Sequence, residues 1–131
     1  MFTSIKTSRQ NKEIVTGLTR KLNLGAENII ARMAFAYSLA KDRKMELAAM
    51  QDAQGKEYSA KVLFGDYAEY YIALICVHYN LYKSDKDIVK YVKMHIDDGL
   101  ELIYNEIEKK SNITGEEFLI NAIEKGLKQL A

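Results

Sequence analysis

The sequence predicts an all-α fold, a compact bundle of about five helices that forms one domain over residues 1–131. Three observations lead to this prediction. The chain has no proline, so no segment loses a backbone amide that a helix interior needs. Apolar residues recur at three- and four-residue spacing in most segments. Residues that favour helix N-termini precede several of these segments.

A short N-terminal extended arm and a helix open the chain. β-Branched residues alternate between Phe2 and Thr7, which is typical of a strand or an extended arm. Ser8 is predicted to cap a helix over residues 9–22, because its hydroxyl can accept a hydrogen bond from the free amides of the first turn. Residues 23–25, Asn-Leu-Gly, are expected to end this helix, with the glycine in the left-handed conformation.

Two further helices are predicted to be strongly apolar. The first, residues 27–40, is apolar on nearly every side and must therefore be central, covered by its own domain or by another subunit. The second, residues 67–82, is rich in tyrosine and follows an extended segment at 57–64, with Asp66 as its cap. Tyrosines of this kind favour packing or subunit contact. Together the two helices predict a stable homo-oligomer.

Capping patterns define the last two helices. Ser84 and Asp87 are predicted to form a capping box, in which hydroxyl and carboxylate satisfy first-turn donors. It opens a long helix to about Lys109 that is expected to loosen at Gly99. Thr114 and the glutamate three residues later repeat the pattern before the final helix.

Charge is distributed unevenly, although the net charge is only +1. Residues 1–44 carry nine basic and three acidic side chains, whereas residues 45–131 carry ten basic and fifteen acidic ones. A basic segment on an acidic remainder favours a surface that faces a polyanion, with a solvated face in a dipolar protein as the alternative. The candidate DNA-binding residues chosen from this clustering are Lys6, Arg9, Lys12, Arg20, Lys21, Lys41, Arg43 and Lys44.

Sequence signatures of catalysis are hard to find. His78 and His95 lie on different predicted helices, and no metal-binding spacing links them to Cys76. His95, Asp97 and Asp98 together suggest an acid–base or metal-binding group, but we expect them to be solvent-facing charges on a long helix. The sequence has no glycine-rich phosphate loop and no nucleophile elbow. We therefore expect no catalytic residue, no bound metal and no cofactor.

The sequence also predicts a cytoplasmic protein without a membrane contact. The single cysteine, Cys76, cannot form an internal disulfide and fits a reducing compartment. The N-terminus has no apolar signal core. The longest apolar stretch, residues 72–77, is too short to cross a bilayer.

The first two helices are predicted to be ribbon–helix–helix-like, because arm, helix, turn and apolar helix follow in that order. In such units the N-terminal strand pairs with a partner chain and enters the DNA major groove. Amides at the start of the second helix can hold a phosphate, although Glu27 places an anion at the same end here. The pattern is only moderately specific, and it makes a ribbon–helix–helix-like transcriptional regulator one alternative.

The same stretch resembles the start of DndE, the small subunit of bacterial DNA sulfur-modification systems. The strongest similarity is the run Asn-Ile-Ile-Ala-Arg-Met-Ala-Phe-Ala-Tyr-Ser-Leu at residues 28–39. The sequences Leu-Phe-Gly-Asp-Tyr at 63–67 and His-Ile-Asp-Asp-Gly-Leu at 95–100 are also similar to the family. The resemblance therefore spans most of the chain.

This resemblance implies a role in DNA phosphorothioation, in which sulfur replaces a non-bridging phosphate oxygen. It implies a helical homo-oligomer, a tetramer, that binds duplex DNA, prefers nicked duplex and uses surface lysines. It also implies partner proteins: a cysteine desulfurase, an iron–sulfur protein and an ATPase-like protein. The leading hypothesis is therefore a non-catalytic DNA-binding subunit of this complex. The regulator and a DNA nickase that uses Asp97 and Asp98 or a tyrosine remain the alternatives.

Overall fold

The computed structural model describes residues 2–110 and 112–130; the predicted domain also includes residues 1, 111 and 131, which lie outside this part. Two strands and six helices make up the described chain. They are β1 (Ser4–Lys6), α1 (Arg9–Leu22), α2 (Glu27–Leu39), β2 (Glu57–Ser59), α3 (Ala60–Phe64), α4 (Ala68–Tyr79), α5 (Ile88–Lys109) and α6 (Gly115–Leu130). Five helices have twelve or more residues, so the predicted helical architecture is confirmed, with a small sheet and the short α3 added.

The N-terminal arm pairs within its own chain. β1 and β2 are antiparallel, with Ile5 opposite Tyr58, and both of these side chains are buried. A ribbon–helix–helix unit instead pairs this strand with a partner chain, so the strand pairing gives that prediction no support. The extended segment predicted at 57–64 is shorter in the structure, where β2 covers only Glu57–Ser59 and α3 follows it. The Ser59 hydroxyl accepts a hydrogen bond from the Val62 amide (3.1 Å), and this cap begins α3.

The core is centred on the contact between α2 and α5. Ile30 and Phe35 of α2 and Leu100 of α5 are completely buried. Gly99 allows the two backbones to touch, since a Cβ atom there would overlap the carbonyl oxygen of Ala34. The predicted loosening of α5 at Gly99 is therefore wrong, because the glycine is needed for close packing. The apolar α2 is covered mostly by its own chain.

Two predicted helix N-termini have the expected side-chain caps, and the predicted end of α1 is nearly in place. The Ser8 hydroxyl accepts a hydrogen bond from the Asn11 amide (3.1 Å), as predicted. The Thr114 hydroxyl accepts one from the Glu117 amide (3.1 Å), which is half of the predicted capping box. Asn23 ends α1 in the left-handed conformation (φ 52°), two residues before the glycine expected to do so.

Two other capping predictions are wrong. Asp66 lies in a 3-10 turn before α4, and its side chain does not cap that helix. The proposed box of Ser84 and Asp87 is absent from this segment, since α5 begins only at Ile88 without a side-chain cap. The Asp85 carboxylate accepts a hydrogen bond from the Asp87 amide (2.8 Å). In a capping box this amide would donate to the Ser84 hydroxyl, so the two acceptors compete for one donor.

Candidate nucleic-acid interface

All eight candidate DNA-binding residues are exposed. Lys6 is in β1, and three of the others follow the C-terminal end of α2: Lys41, Arg43 and Lys44. The remaining four lie at opposite ends of α1: Arg9 and Lys12 in its first turn, Arg20 and Lys21 in its last. A helix rises about 1.5 Å per residue, so these two basic groups are separated by about 12–18 Å along the axis.

Two consecutive carboxylates of α5 contact the start of α1 and the segment after α2. Asp97 Oδ1 accepts hydrogen bonds from the Ser8 backbone amide (3.0 Å) and from Asn11 Nδ2 (2.9 Å). Asp98 Oδ2 accepts one from the Arg43 guanidinium (2.6 Å). The basic residues of these two segments, together with Lys6 of β1, are called the basic surface below. Its members are Lys6, Arg9, Lys12, Lys41, Arg43 and Lys44.

Some cationic side chains of the basic surface already interact with other side chains of the protein. Arg43 is paired with Asp98, and Lys41 Nζ lies 4.5 Å from the centre of the Tyr37 ring. The Arg9 backbone amide donates to Asp52 Oδ1 (2.9 Å), and this bond is the main cause of a lowered pKa for Asp52. Asp52 therefore stays ionised beside Arg9 and reduces the local positive potential.

A buried hydrogen-bond chain connects Arg43 to the interior. The Ser38 hydroxyl donates to Asp98 Oδ2 (2.6 Å), so its oxygen is left to accept from His95 Nδ1 (2.8 Å). The hydroxyl of Tyr79 then donates to His95 Nε2 (2.6 Å) and accepts from the Met45 amide (3.0 Å). In this arrangement every proton has one acceptor and His95 is neutral, in agreement with its buried position.

The prediction that His95, Asp97 and Asp98 are solvent-facing charges is wrong. His95 and Asp97 are each only 1% exposed, and Asp98 is partly buried. Burial is the main cause of a lowered pKa for His95, about 4. Asp97 is paired with Lys93 on the preceding turn. Asp97 is therefore paired inside the protein and Asp98 is paired with Arg43, so neither carboxylate is a free surface acid of the kind that the nickase alternative assumes.

The sequence analysis did not identify the two polar partners of Asp97, which are Asn11 and Lys93. Asn11 continues the buried stripe of Val15, Leu18 and Leu22, at the same four- and three-residue spacing. A polar residue in an apolar stripe indicates a buried partner, and that signal was present in the sequence. Lys93 gave no such signal, since an i, i+4 pair with Asp97 is typical of an exposed helix face.

Helix α4 presents an apolar face to solvent. Val77 is 82% exposed and Tyr70 is 71% exposed, while Tyr67 and Leu74 are each at least half exposed. Exposed apolar side chains grouped in this way are typical of a contact surface.

In the part of the chain that the structure describes, no helix combines the length and hydropathy that crossing a bilayer requires. Among the same residues, no cluster of three or more histidines, cysteines or acids is placed to hold a metal.

Comparisons with known proteins agree on one family. The model of the family described as "DNA sulphur modification protein DndE" matches residues 4–111. The crystal structure of DndE from Escherichia coli B7A, involved in DNA phosphorothioation modification, is 18% identical, covers 79% of this chain and 98% of its own, and has a TM-score of 0.64. The crystal structure of a DndE mutant with two glycines changed to lysine, involved in DNA phosphorothioation, is 20% identical with the same coverage and a TM-score of 0.65. No curated protein matches the sequence.

Proposed function

Since the chain belongs to the DndE family of DNA sulphur modification proteins, we propose that it is the DNA-binding, non-catalytic subunit of a DNA phosphorothioation complex. In this proposal it acts in the cytoplasm as a homo-oligomer, a tetramer, beside the other proteins of the complex. It holds duplex DNA, with a preference for nicked duplex, and leaves the sulfur chemistry to its partners.

The observation that carries the proposal is the basic surface. Asp97 accepts a hydrogen bond from the start of α1 and Asp98 accepts one from Arg43, so both basic segments contact neighbouring positions of α5. Within the described residues, the side chains of Arg9, Lys12 and Lys44 form no ion pair with an acid of the chain. Such cations are available for phosphates, and binding through them releases counterions from DNA.

The preference for nicked duplex is proposed from the resemblance to the DndE family. Arg20 and Lys21, in the last turn of α1, form a second exposed basic group outside the basic surface.

Oligomerisation is supported by the apolar face of α4. The apolar character of α2 is a weaker reason for it, because α2 packs mostly inside its own chain. The face of α4 exposes Tyr67, Tyr70, Leu74 and Val77, and burying them between copies would remove apolar surface from water.

The proposal is tested by comparing DNA substrates of equal length. Fluorescence anisotropy with the full chain measures the affinity for nicked duplex, intact duplex and single-stranded DNA at one salt concentration. We expect the nicked duplex to bind most tightly and the affinity to be independent of sequence. A preference for one palindromic duplex would favour the transcriptional regulator. Equal affinity for nicked and intact duplex would contradict the proposed preference.

A further inference from the structure

An open cavity of about 320 Å³ lies between α2 and α6, and Ile103 of α5 also lines it. Four of its lining residues have one side-chain carbon or none, which leaves the space open: Ala36, Ala40, Ala122 and Gly126. A Cβ atom added at Gly126 would meet nothing within 4 Å. An apolar void of about 150 Å³ already holds a benzene ring, so this cavity has room for a larger apolar group.

The walls of the cavity are mainly apolar. Met33 of α2 and Ile123 of α6 line it, together with Phe118 and the completely buried Ile103. The Phe118 ring meets the Tyr37 ring edge-on, with the ring centres 5.7 Å apart, and so joins α6 to α2 at this place. A cavity of this size and lining is typical of a site for a small molecule that has an apolar body.

Two lysines, one from each side, also line the cavity. Lys41 Nζ lies 4.5 Å from the centre of the Tyr37 ring, and Lys125 comes from α6. Burial is the main cause of a raised pKa for Tyr37, and its hydroxyl is also affected by the charges of Glu106 and Lys125. Glu106 is paired with Lys110 (2.8 Å). Within the described residues, neither Lys41 nor Lys125 forms an ion pair with an acid, so the net charge around Tyr37 is positive.

We propose that this cavity binds a small amphipathic anion, an aliphatic chain or ring that ends in a carboxylate. The apolar part lies between α2 and α6, where it is removed from water. The carboxylate contacts Lys41 and Lys125, whose ammonium groups donate charge-assisted hydrogen bonds. An uncharged ligand of the same size leaves these two cations without a partner, and a cationic ligand is repelled by them.

The first test compares two ligands that share one aliphatic chain and differ in charge, octanoate and octanol. Isothermal titration calorimetry measures the affinity of the full chain for each of them, without DNA. We expect octanoate to bind about tenfold more tightly than octanol, which corresponds to one charge-assisted hydrogen bond. Equal affinity for the two ligands, or no binding of octanoate at millimolar concentration, would overturn the proposal.

The second test fills the cavity. Gly126→Leu adds a side chain where a Cβ meets no other atom, so the chain is expected to fold. Octanoate and octanol should both bind about tenfold more weakly, because the leucine occupies the space of the aliphatic chain. The control, Gly17→Leu, makes the same change at an exposed position of α1 that is equally open, and should keep both affinities. Wild-type octanoate affinity for Gly126→Leu, or an equal loss for Gly17→Leu, would place the ligand elsewhere.

The third test removes the two cations. Lys41→Gln with Lys125→Gln should lower the octanoate affinity to that of octanol and leave the octanol affinity unchanged, since only the carboxylate contacts these lysines. The control, Lys44→Gln with Lys128→Gln, removes the same charge from exposed lysines that do not line the cavity, and should keep the preference for octanoate. Equal losses of octanoate affinity in the two double variants would indicate a general attraction by net charge and overturn the proposal. Because the ligand assays contain no DNA, their outcome is independent of the proposed function.

Discussion

Lys93 and Asp97 form an ion pair inside the protein, one turn apart on α5, with both side chains almost entirely buried. The same carboxylate accepts hydrogen bonds from the Ser8 amide and the Asn11 side chain. One buried acid thus holds the first turn of α1 in place. The adjacent Asp98 accepts a hydrogen bond from the Arg43 guanidinium. The basic surface therefore depends on two carboxylates of α5 that lie beneath it.

Removing one member of the buried pair is expected to be costly. Asp97→Ala leaves the Lys93 ammonium buried without a counter-ion and should lower the free energy of unfolding by about 3–5 kcal/mol in urea titrations. The combined change Lys93→Met with Asp97→Leu removes both charges and should recover part of that loss, since the Ser8 amide and the Asn11 side chain still lose their acceptor. The control, Glu106→Ala, breaks the more exposed pair with Lys110 and should cost less than about 1 kcal/mol. Equal losses for Asp97→Ala and Glu106→Ala would show that the buried pair has no special role.

Gly99→Ala is expected to separate α2 from α5. The added methyl group would overlap the Ala34 carbonyl, so the helices must move apart and the core must repack. Overpacking of this kind costs about 1–3 kcal/mol or more, measurable as a lower urea midpoint. Gly17→Ala is the matched control, because an added Cβ there meets nothing within 4 Å. It should raise stability by about 0.5–1 kcal/mol through the helix preference of alanine. A stable Gly99→Ala protein would contradict the described contact.

The buried His95 predicts a pH dependence of stability. Its pKa is about 4 in the folded protein and near 6.5 when unfolded. Between these values the unfolded chain binds the extra proton, so stability is full above pH 6.5 and falls as the pH drops towards 4. The contribution is about 3 kcal/mol. His95→Gln should show a shallower fall in urea titrations across this window. An NMR titration that placed the His95 midpoint near 6.5 would refute the prediction.

The face of α4 predicts a change in oligomer size. Leu74→Asp with Val77→Asp puts charge on side chains that are exposed in the single chain, so the fold should persist. The mass measured by light scattering should fall, because a buried unpaired charge opposes association. Glu69→Gln with Lys83→Gln changes two exposed polar residues, one in the first turn of α4 and one in the segment after it, and should leave the mass unchanged. An unaltered mass for the aspartate variant would exclude α4 as the contact.

The sequence predicted local structure better than it predicted which helices and strands pack against one another. Periodicity placed α1, because Val15, Leu18 and Leu22 form a buried apolar stripe. The apolar composition of α2 identified it as a central helix. Ser8 was identified as a cap because that interaction involves only neighbouring residues. The pairing of β1 with β2 was not predictable, since about fifty residues separate them and three-residue strands carry little pattern. The burial of His95 and Asp97 was missed for the same reason, because their partners Ser38, Tyr79 and Asn11 lie on other helices.

The basic surface is tested most directly by the salt dependence of DNA binding. Changing Arg9, Lys12 and Lys44 together to alanine should weaken binding to all duplexes alike. It should also make the slope of log affinity against log salt shallower, by about 0.9 for each phosphate that the variant no longer neutralises. The control triple, Lys61, Lys83 and Lys86 to alanine, removes the same charge from exposed positions in the acidic part of the chain and should keep the wild-type affinity and slope. If instead the control triple loses binding while the first triple keeps the wild-type slope, DNA does not bind at the basic surface.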